Sequence, residues 1–171
     1  MKENNVRTLM KNGIIRLLMK KNFLDITVTD LVKESGIARA SFYRVYNSVD
    51  QVMDDIAKEI GEDLTTKYVP ILISKNEKAI KEVISSFYER VKKNDIPIIE
   101  INPENLPFLI SKLEQNSFLS KNIQFNNINE KYGLQLYIVL VVSIARLWGF
   151  YGYKETIEEI TDYTYSLVYK Q

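Results

Sequence analysis

The chain has 171 residues, 46% of them hydrophobic, with 23 basic and 22 acidic residues and a net charge of +1. That apolar share supports a packed core and argues against disorder. Neither cysteine nor histidine occurs, which removes disulfides, thiolate chemistry, His–metal sites and His-dependent triads, so no catalytic residue, metal or cofactor is expected.

In chain order, a first helix is predicted from about Asn5 to Lys21, with Val6, Met10, Ile14, Leu17 and Leu18 on one side. Thr27 with Asp30 forms a capping-box variant that starts a second helix carrying Leu31 and Val32 inward. Gly36 suits its end, because the position after a helix favours positive φ. Ile37 turns inward, and a third helix is predicted from about Arg39 to Tyr46. Phe42 and Tyr46 share its inner face, leaving Arg39, Ala40, Ser41, Tyr43 and Arg44 outward or on the flanks. Asn47 follows, and Ser48 with Gln51 caps a fourth helix whose stripe is Val49, Val52, Met53, Ile56 and Ile60. That helix is expected to run through Leu64 and Tyr68 until Pro70 ends or kinks it.

Residues 27–53 therefore have the layout of a helix-turn-helix, whose second helix enters the DNA major groove. Charge agrees. Residues 1–48 hold nine basic and four acidic residues, net +5, and the remainder fourteen and eighteen, net −4. A near-neutral chain thus has a basic N-terminal third, as a phosphate-binding surface requires.

Further along, a helix from about Asn76 to Lys93 carries Ile80, Val83, Ile84, Phe87 and Val91 inward. The segment 94–106 contains Pro97 and Pro103; its strand-like Ile96–Ile101 stretch has no partner strand and reads as a connection, with a helix following from about Glu104 to Gln115. Residues 116–129, rich in Asn and Ser, carry no periodic signal. From about Tyr132 to Tyr151 the sequence is apolar nearly all round, and such a helix must be buried on every side. Thr156 with Glu159 caps a last helix, with Ile157, Ile160, Thr164, Leu167 and Val168 on one face. The surplus apolar surface of these two helices predicts a homodimer interface, with Leu140, Ile144, Leu147, Ile160 and Leu167 as its candidates. The N-terminus lacks an apolar signal core, and the longest apolar run, Leu136–Ala145, is short of the ~20 residues that span a bilayer. A cytoplasmic protein with no membrane contact is expected.

Residues from about 10 to 53 resemble the DNA-binding domain of TetR-type transcriptional regulators. The residues that carry the resemblance are Asn22-Phe23-Leu24-Asp25-Ile26-Thr27-Val28, Asp30-Leu31, Gly36-Ile37, Phe42-Tyr43 and Tyr46-Asn47-Ser48. Three positions depart from that pattern: Ala38 where Ser usually caps the recognition helix, Val45 where His is common, and Val49 where a Lys commonly meets a phosphate.

The resemblance implies an all-α chain. Residues 1–48 would form a three-helix DNA-binding domain extending into a helix over 49–69, and residues 70–171 a helical dimerisation and effector domain. It further implies a repressor that binds a palindromic double-stranded operator as a homodimer, through Thr27, Arg39, Ala40, Ser41, Tyr43, Arg44 and Asn47. A small apolar effector would be enclosed with Phe87, Trp148 and Tyr151 as candidate walls. Ala38 and Val49 leave a second reading open, a helical co-regulator of the same ancestry that acts through protein contacts instead of DNA. An enzyme is the least supported class, since the remaining carboxylates and lysines show no site-like spacing.

Overall fold

The computed structural model describes residues 3–94, 100–116 and 128–169. Among these residues the secondary structure is helical and no strand occurs. The helices are α1 (Glu3–Lys20), α2 (Val28–Ser35), α3 (Arg39–Tyr43), α4 (Val49–Asp63), α5 (Val69–Ile73), α6 (Glu77–Lys92), α7 (Leu106–Asn116), α8 (Ile128–Phe150) and α9 (Ile157–Tyr169). Single 3₁₀ turns precede α2 and α7, and a π-helical turn, Leu64–Tyr68, follows α4. The all-α expectation holds. The predicted fourth helix changes character at Leu64, where the π-helical turn begins, and Pro70, lacking an N–H, then lies in the first turn of α5. The expected connection over 95–99 and the Asn- and Ser-rich 117–127 lie outside the described residues.

The chain divides into two compact units. The first holds α1 to α4 together with the segment from Ile101 through α7, and the second holds the chain from Leu64 to Glu100 with α8 and α9. This differs from the linear division at residue 70, because the Ile101–α7 segment belongs with the N-terminal helices.

In the first unit, α1 packs on α2 and α4, and α7 packs on α4. Val6, Met10, Ile14, Leu18, Leu31, Phe42 and Val52 are almost fully buried. The Thr27 capping box forms as expected, and the Ser48 box forms only in half. Thr27 Oγ1 accepts from Asp30 N at 3.1 Å while the Asp30 carboxylate accepts from Thr27 N at 2.9 Å. Ser48 Oγ accepts from Gln51 N at 3.2 Å, but the Gln51 side chain reaches back one residue further, to Asn47 N at 2.8 Å. Gly36 closes α2 at φ 66°, and Ile37 N donates to Val32 O. The stripe of α4 departs from expectation at its far end. Ala57 is buried and Ile60 is 43% exposed, because the buried line through Val49, Val52 and Met53 continues at 57, not 60.

The return segment is anchored by a buried asparagine. Asn105 Oδ1 accepts from Phe23 N at 2.7 Å, and its Nδ2 donates to Leu18 O at 2.9 Å and Lys21 O at 3.0 Å. It thereby satisfies carbonyls that the end of α1 leaves without helical partners. Phe108 stacks on Phe23 at 4.0 Å between centroids, and Lys112 Nζ lies 2.8 Å from Asp50 and 2.9 Å from Asp54 on α4.

Gly13 marks the closest approach of α1 to α2. A Cβ there would lie 2.1 Å from Ser35 Oγ, a buried hydroxyl without a hydrogen-bond partner. Alanine at 13 would gain about 1 kcal/mol of helix propensity, but the overlap should outweigh it and leave Gly13→Ala destabilised by about 1–3 kcal/mol. Adding Ser35→Ala removes the overlapping oxygen and should return most of that loss. Urea unfolding of the single and double variants checks both statements.

In the second unit, α6 packs on α9 and α8, and α5 packs on α6 and α8. Its centre is Tyr88, fully buried, whose hydroxyl lies 2.7 Å from Thr164 Oγ1; the Thr164 hydroxyl donates to Ile160 O at 2.7 Å, so the Tyr88 hydroxyl is the donor to Thr164. Burial pushes the Tyr88 phenol up to about 12. Thr156 and Glu159 cap α9 as expected, at 2.8 Å and 3.2 Å. On α9 the deeply buried positions are Ile160, Thr161, Thr164 and Tyr165, while Leu167 and Val168 are half-buried.

Candidate nucleic-acid interface

Helices α2 and α3 present the site. Phe42 and Tyr46 are buried, which sets the register of the third helix, and Arg39, Ala40, Tyr43, Arg44 and Asn47 are exposed while Ser41 is half-exposed. The helix is shorter than expected, ending at Tyr43. A turn in which Val45 N and Tyr46 N both donate to Phe42 O carries the chain on to Tyr46. Ala38 occupies the cap position without a side-chain bond, so α3 forgoes the roughly 0.5–2 kcal/mol that a capping side chain contributes. Val49 is 8% exposed. The side chain where the family pattern has a cation is therefore part of the core and brings no charge to a phosphate.

A network behind α3 holds its end. The Tyr46 hydroxyl donates to Asp55 at 2.6 Å, Arg7 and Lys11 lie 3.2 and 3.1 Å from the same carboxylate, and the Arg7 guanidinium sits 4.9 Å over the Tyr46 ring. Burial and the Asp55 hydrogen bond raise the Tyr46 phenol well above its ordinary range. Partial burial opposes ionisation of Asp55, but the bonds from Tyr46 and Lys11 outweigh it and hold the carboxyl below its usual range.

Thr27 is exposed, and its hydroxyl is spent on the cap, accepting from Asp30 N and donating to the Asp30 carboxylate at 2.7 Å. That carboxylate also pairs with Lys21 at 2.7 Å, and the Lys21 and Thr27 bonds keep it well below the usual carboxylate range.

The basic third of the sequence is much less basic as a surface. Arg7 pairs with Asp55, Lys11 with Asp55 and Glu59, Arg16 and Lys20 with Glu34, and Lys21 with Asp30. Asp55 and Glu59 come from α4, beyond the segment over which the +5 was counted. Among the described residues no acid partner is placed beside Lys33, Arg39 or Arg44. Arg39 instead rests on two neutral hydroxyls: Nη1 donates to Thr29 Oγ1 at 3.1 Å and Nη2 to Tyr43 Oη at 3.1 Å. Thr29, exposed on α2, was not among the expected site residues. It stands ten positions from Arg39, a separation that no helical periodicity marks.

The candidate effector and dimer residues are also sorted by the structure. Trp148 is 2% exposed and filled around: its ring meets Tyr88 and Tyr153 edge-on, and Nε1 donates to Glu155 O at 3.2 Å. Phe87 is half-buried and Tyr151 is 59% exposed. None of the three lines the cleft of about 880 Å³ between α6 and α9, whose walls are mainly charged and include Glu77, Lys81, Glu82, Glu158 and Asp162.

Of the dimer candidates, Ile144 and Ile160 are 8% exposed and belong to the core of this chain; Leu140 and Leu167 are half-buried, and Leu147 is 56% exposed. The reason is register. The inward line of α8 is Tyr137, Val141, Ile144, Ala145 and Trp148, and the opposite line, Tyr132, Leu136, Val139, Leu147 and Phe150, is 41–79% exposed. The helix is thus apolar on two faces, and the described residues of this chain cover only one of them.

No family model matches the chain. Solved structures with a similar fold include a TetR transcriptional regulator from Streptococcus agalactiae 2603V, with a TM-score of 0.57, 19% identity, and coverage of 97% of this chain and 94% of that one. They also include the fatty acid degradation regulator FadR from Bacillus halodurans, with a TM-score of 0.64, 12% identity, and coverage of 95% and 93%. The chain has the fold of TetR-type regulators along nearly its whole length.

Proposed function

We propose that this chain is a TetR-type transcriptional regulator, a repressor that binds a two-fold-symmetric DNA operator as a homodimer and is released by an effector or partner. The observation that carries the reading is α3. Its inner side is locked by Phe42 and Tyr46, and its outer side offers Arg39, Ser41, Tyr43 and Arg44 without an acidic partner for either arginine among the described residues. A short exposed helix of that composition, crossing after a glycine turn, fits the major groove. The outward line of α8 supports dimerisation, and a dimer reads two half-sites where one helix reads few bases. Regulation would follow from an effector that binds two spacings of the recognition helices differently.

Binding to the DNA upstream of its own gene, followed by fluorescence anisotropy across a range of salt, tests the proposal and one number that comes with it. With Lys33 and Arg44 as the phosphate-facing cations, four per dimer, log K should fall against log salt with a slope of about −4. If all nine basic residues of 1–48 acted, the slope would be about −16. A slope steeper than about −10 would show that the ion pairs on α1 open to meet phosphates.

The uncapped Ala38, the buried Val49 and the five paired cations favour one alternative, a co-regulator of the same fold that docks on protein. No enriched sequence in a selection from random DNA would establish that alternative over the first.

A further inference from the structure

We propose that Arg39 reads a guanine in each half-site, and that Thr29 is a positioning residue that fixes the Arg39 guanidinium for that contact. The inference rests on the DNA-binding reading above and adds a base and a residue to it.

Arg39 differs from the five ion-paired cations of α1 and the turn after it in the company it keeps. Arg7, Lys11, Arg16, Lys20 and Lys21 lie against carboxylates, which neutralise them. Arg39 is held by two hydroxyls, one on α2 and one a turn ahead on α3, at 3.1 Å each. Its guanidinium carbon lies 5.5 Å from the centre of the Tyr43 ring. The group is therefore oriented without being neutralised.

Stability does not explain this placement. Arg39 is the first residue of α3, and a cation in the first turn opposes the helix dipole. Two exposed hydrogen bonds to neutral partners contribute little to folding. They do remove rotational freedom from a side chain that otherwise carries about 2 kcal/mol of rotamer entropy.

The donor count suits guanine. A guanidinium has five N–H groups, and Thr29 and Tyr43 take one each. Three remain, enough for the paired donation to O6 and N7 that makes Arg–guanine the commonest specific contact in the major groove. Both hydroxyls act as acceptors toward Arg39, so each keeps its own proton to donate to a phosphate oxygen. The three side chains then join backbone and base contacts in one unit.

Selection from a randomised DNA pool, using the full-length wild type, Arg39→Ala, Thr29→Val and Thr29→Ser, tests the proposal. Thermal melts of all four should superimpose, because both side chains are exposed. The wild type should prefer guanine at one position per half-site by about tenfold or more, and Arg39→Ala should abolish that preference. Thr29→Val keeps the shape and loses the acceptor. It should lower the preference at that position alone by roughly threefold to tenfold, with the salt slope unchanged, and Thr29→Ser should restore it. If Thr29→Val weakens every sequence equally, or leaves the guanine preference intact, the positioning role is overturned while DNA binding stands. If the wild type enriches no sequence at all, the DNA-binding reading falls and this inference with it.

Discussion

Asn105→Ala should be among the most damaging single substitutions in the chain, costing about 3–5 kcal/mol, with a midpoint of thermal unfolding lower by roughly 10 °C or more. The side chain is fully buried and makes three hydrogen bonds, to Phe23 N, Leu18 O and Lys21 O. Truncation strands Phe23 N and Lys21 O and leaves Leu18 O with the single bond from Asn102 N, and an unmade buried hydrogen bond costs more than a formed one contributes. Asn105→Asp separates the donor from the acceptor role. It keeps an acceptor for Phe23 N but aims a carboxylate at two carbonyls, so at neutral pH it should do no better than alanine. Below the ordinary carboxylate range the protonated side chain regains one donor, and its deficit relative to wild type at the same pH should narrow. Calorimetry across pH checks both variants. A loss under about 1 kcal/mol for Asn105→Ala would show that the Ile101–α7 segment is merely laid against α1 instead of anchoring it.

The second large effect is expected on the outward face of α8. Leu136→Glu with Leu147→Glu should convert a dimer into a folded monomer and lower operator affinity by at least about a hundredfold, since linking two half-site contacts multiplies affinity by about 10²–10⁴. Leu136 is 69% and Leu147 56% exposed in the single subunit. Glutamate is a good helix former, so the subunit's own core should tolerate both changes, and helical content by circular dichroism should stay the same. Sedimentation equilibrium reads the assembly state and anisotropy the affinity. A control on the inner face, Ile144→Glu, should instead unfold the second unit, because Ile144 is 8% exposed. A double glutamate variant that remains dimeric would place the interface elsewhere.

These two sites mark where sequence reasoning reached and where it stopped. The helix-turn-helix was legible because each of its parts is local. A capping box spans four residues, a glycine closes a helix through its own φ, and Phe42 and Tyr46 declare an inner face by their spacing. Thr27, Asp30, Gly36, Thr156 and Glu159 accordingly do in the structure what their spacing predicts. The uncapped start of α3 at Ala38 was equally readable, because a missing side-chain oxygen is a property of one residue.

Partnerships between distant segments were not readable. Summing charge over residues 1–48 makes a strongly basic head, but Asp55 and Glu59 of α4 return to neutralise Arg7 and Lys11. Lys112, some sixty residues away, then sits between Asp50 and Asp54. The apolar surplus of α8 was evident from composition, but its division into two faces was not. A helix apolar all round has no periodicity to mark which side its own subunit takes, and so Ile144 and Ile160 read like Leu147 although they are buried and it is not.

By itself, then, the sequence determined most of the helices, the caps at Thr27 and Thr156 and the outward side of α3, since hydrogen bonds over three or four residues and the helical repeat are written into the order of residues. Only the tertiary structure decided which cations stay unpaired, which face of α8 is left uncovered, and that Asn105 and Thr29 complete parts of the molecule begun many residues away. Those outcomes depend on which segments meet in space, and a linear pattern holds no record of that meeting.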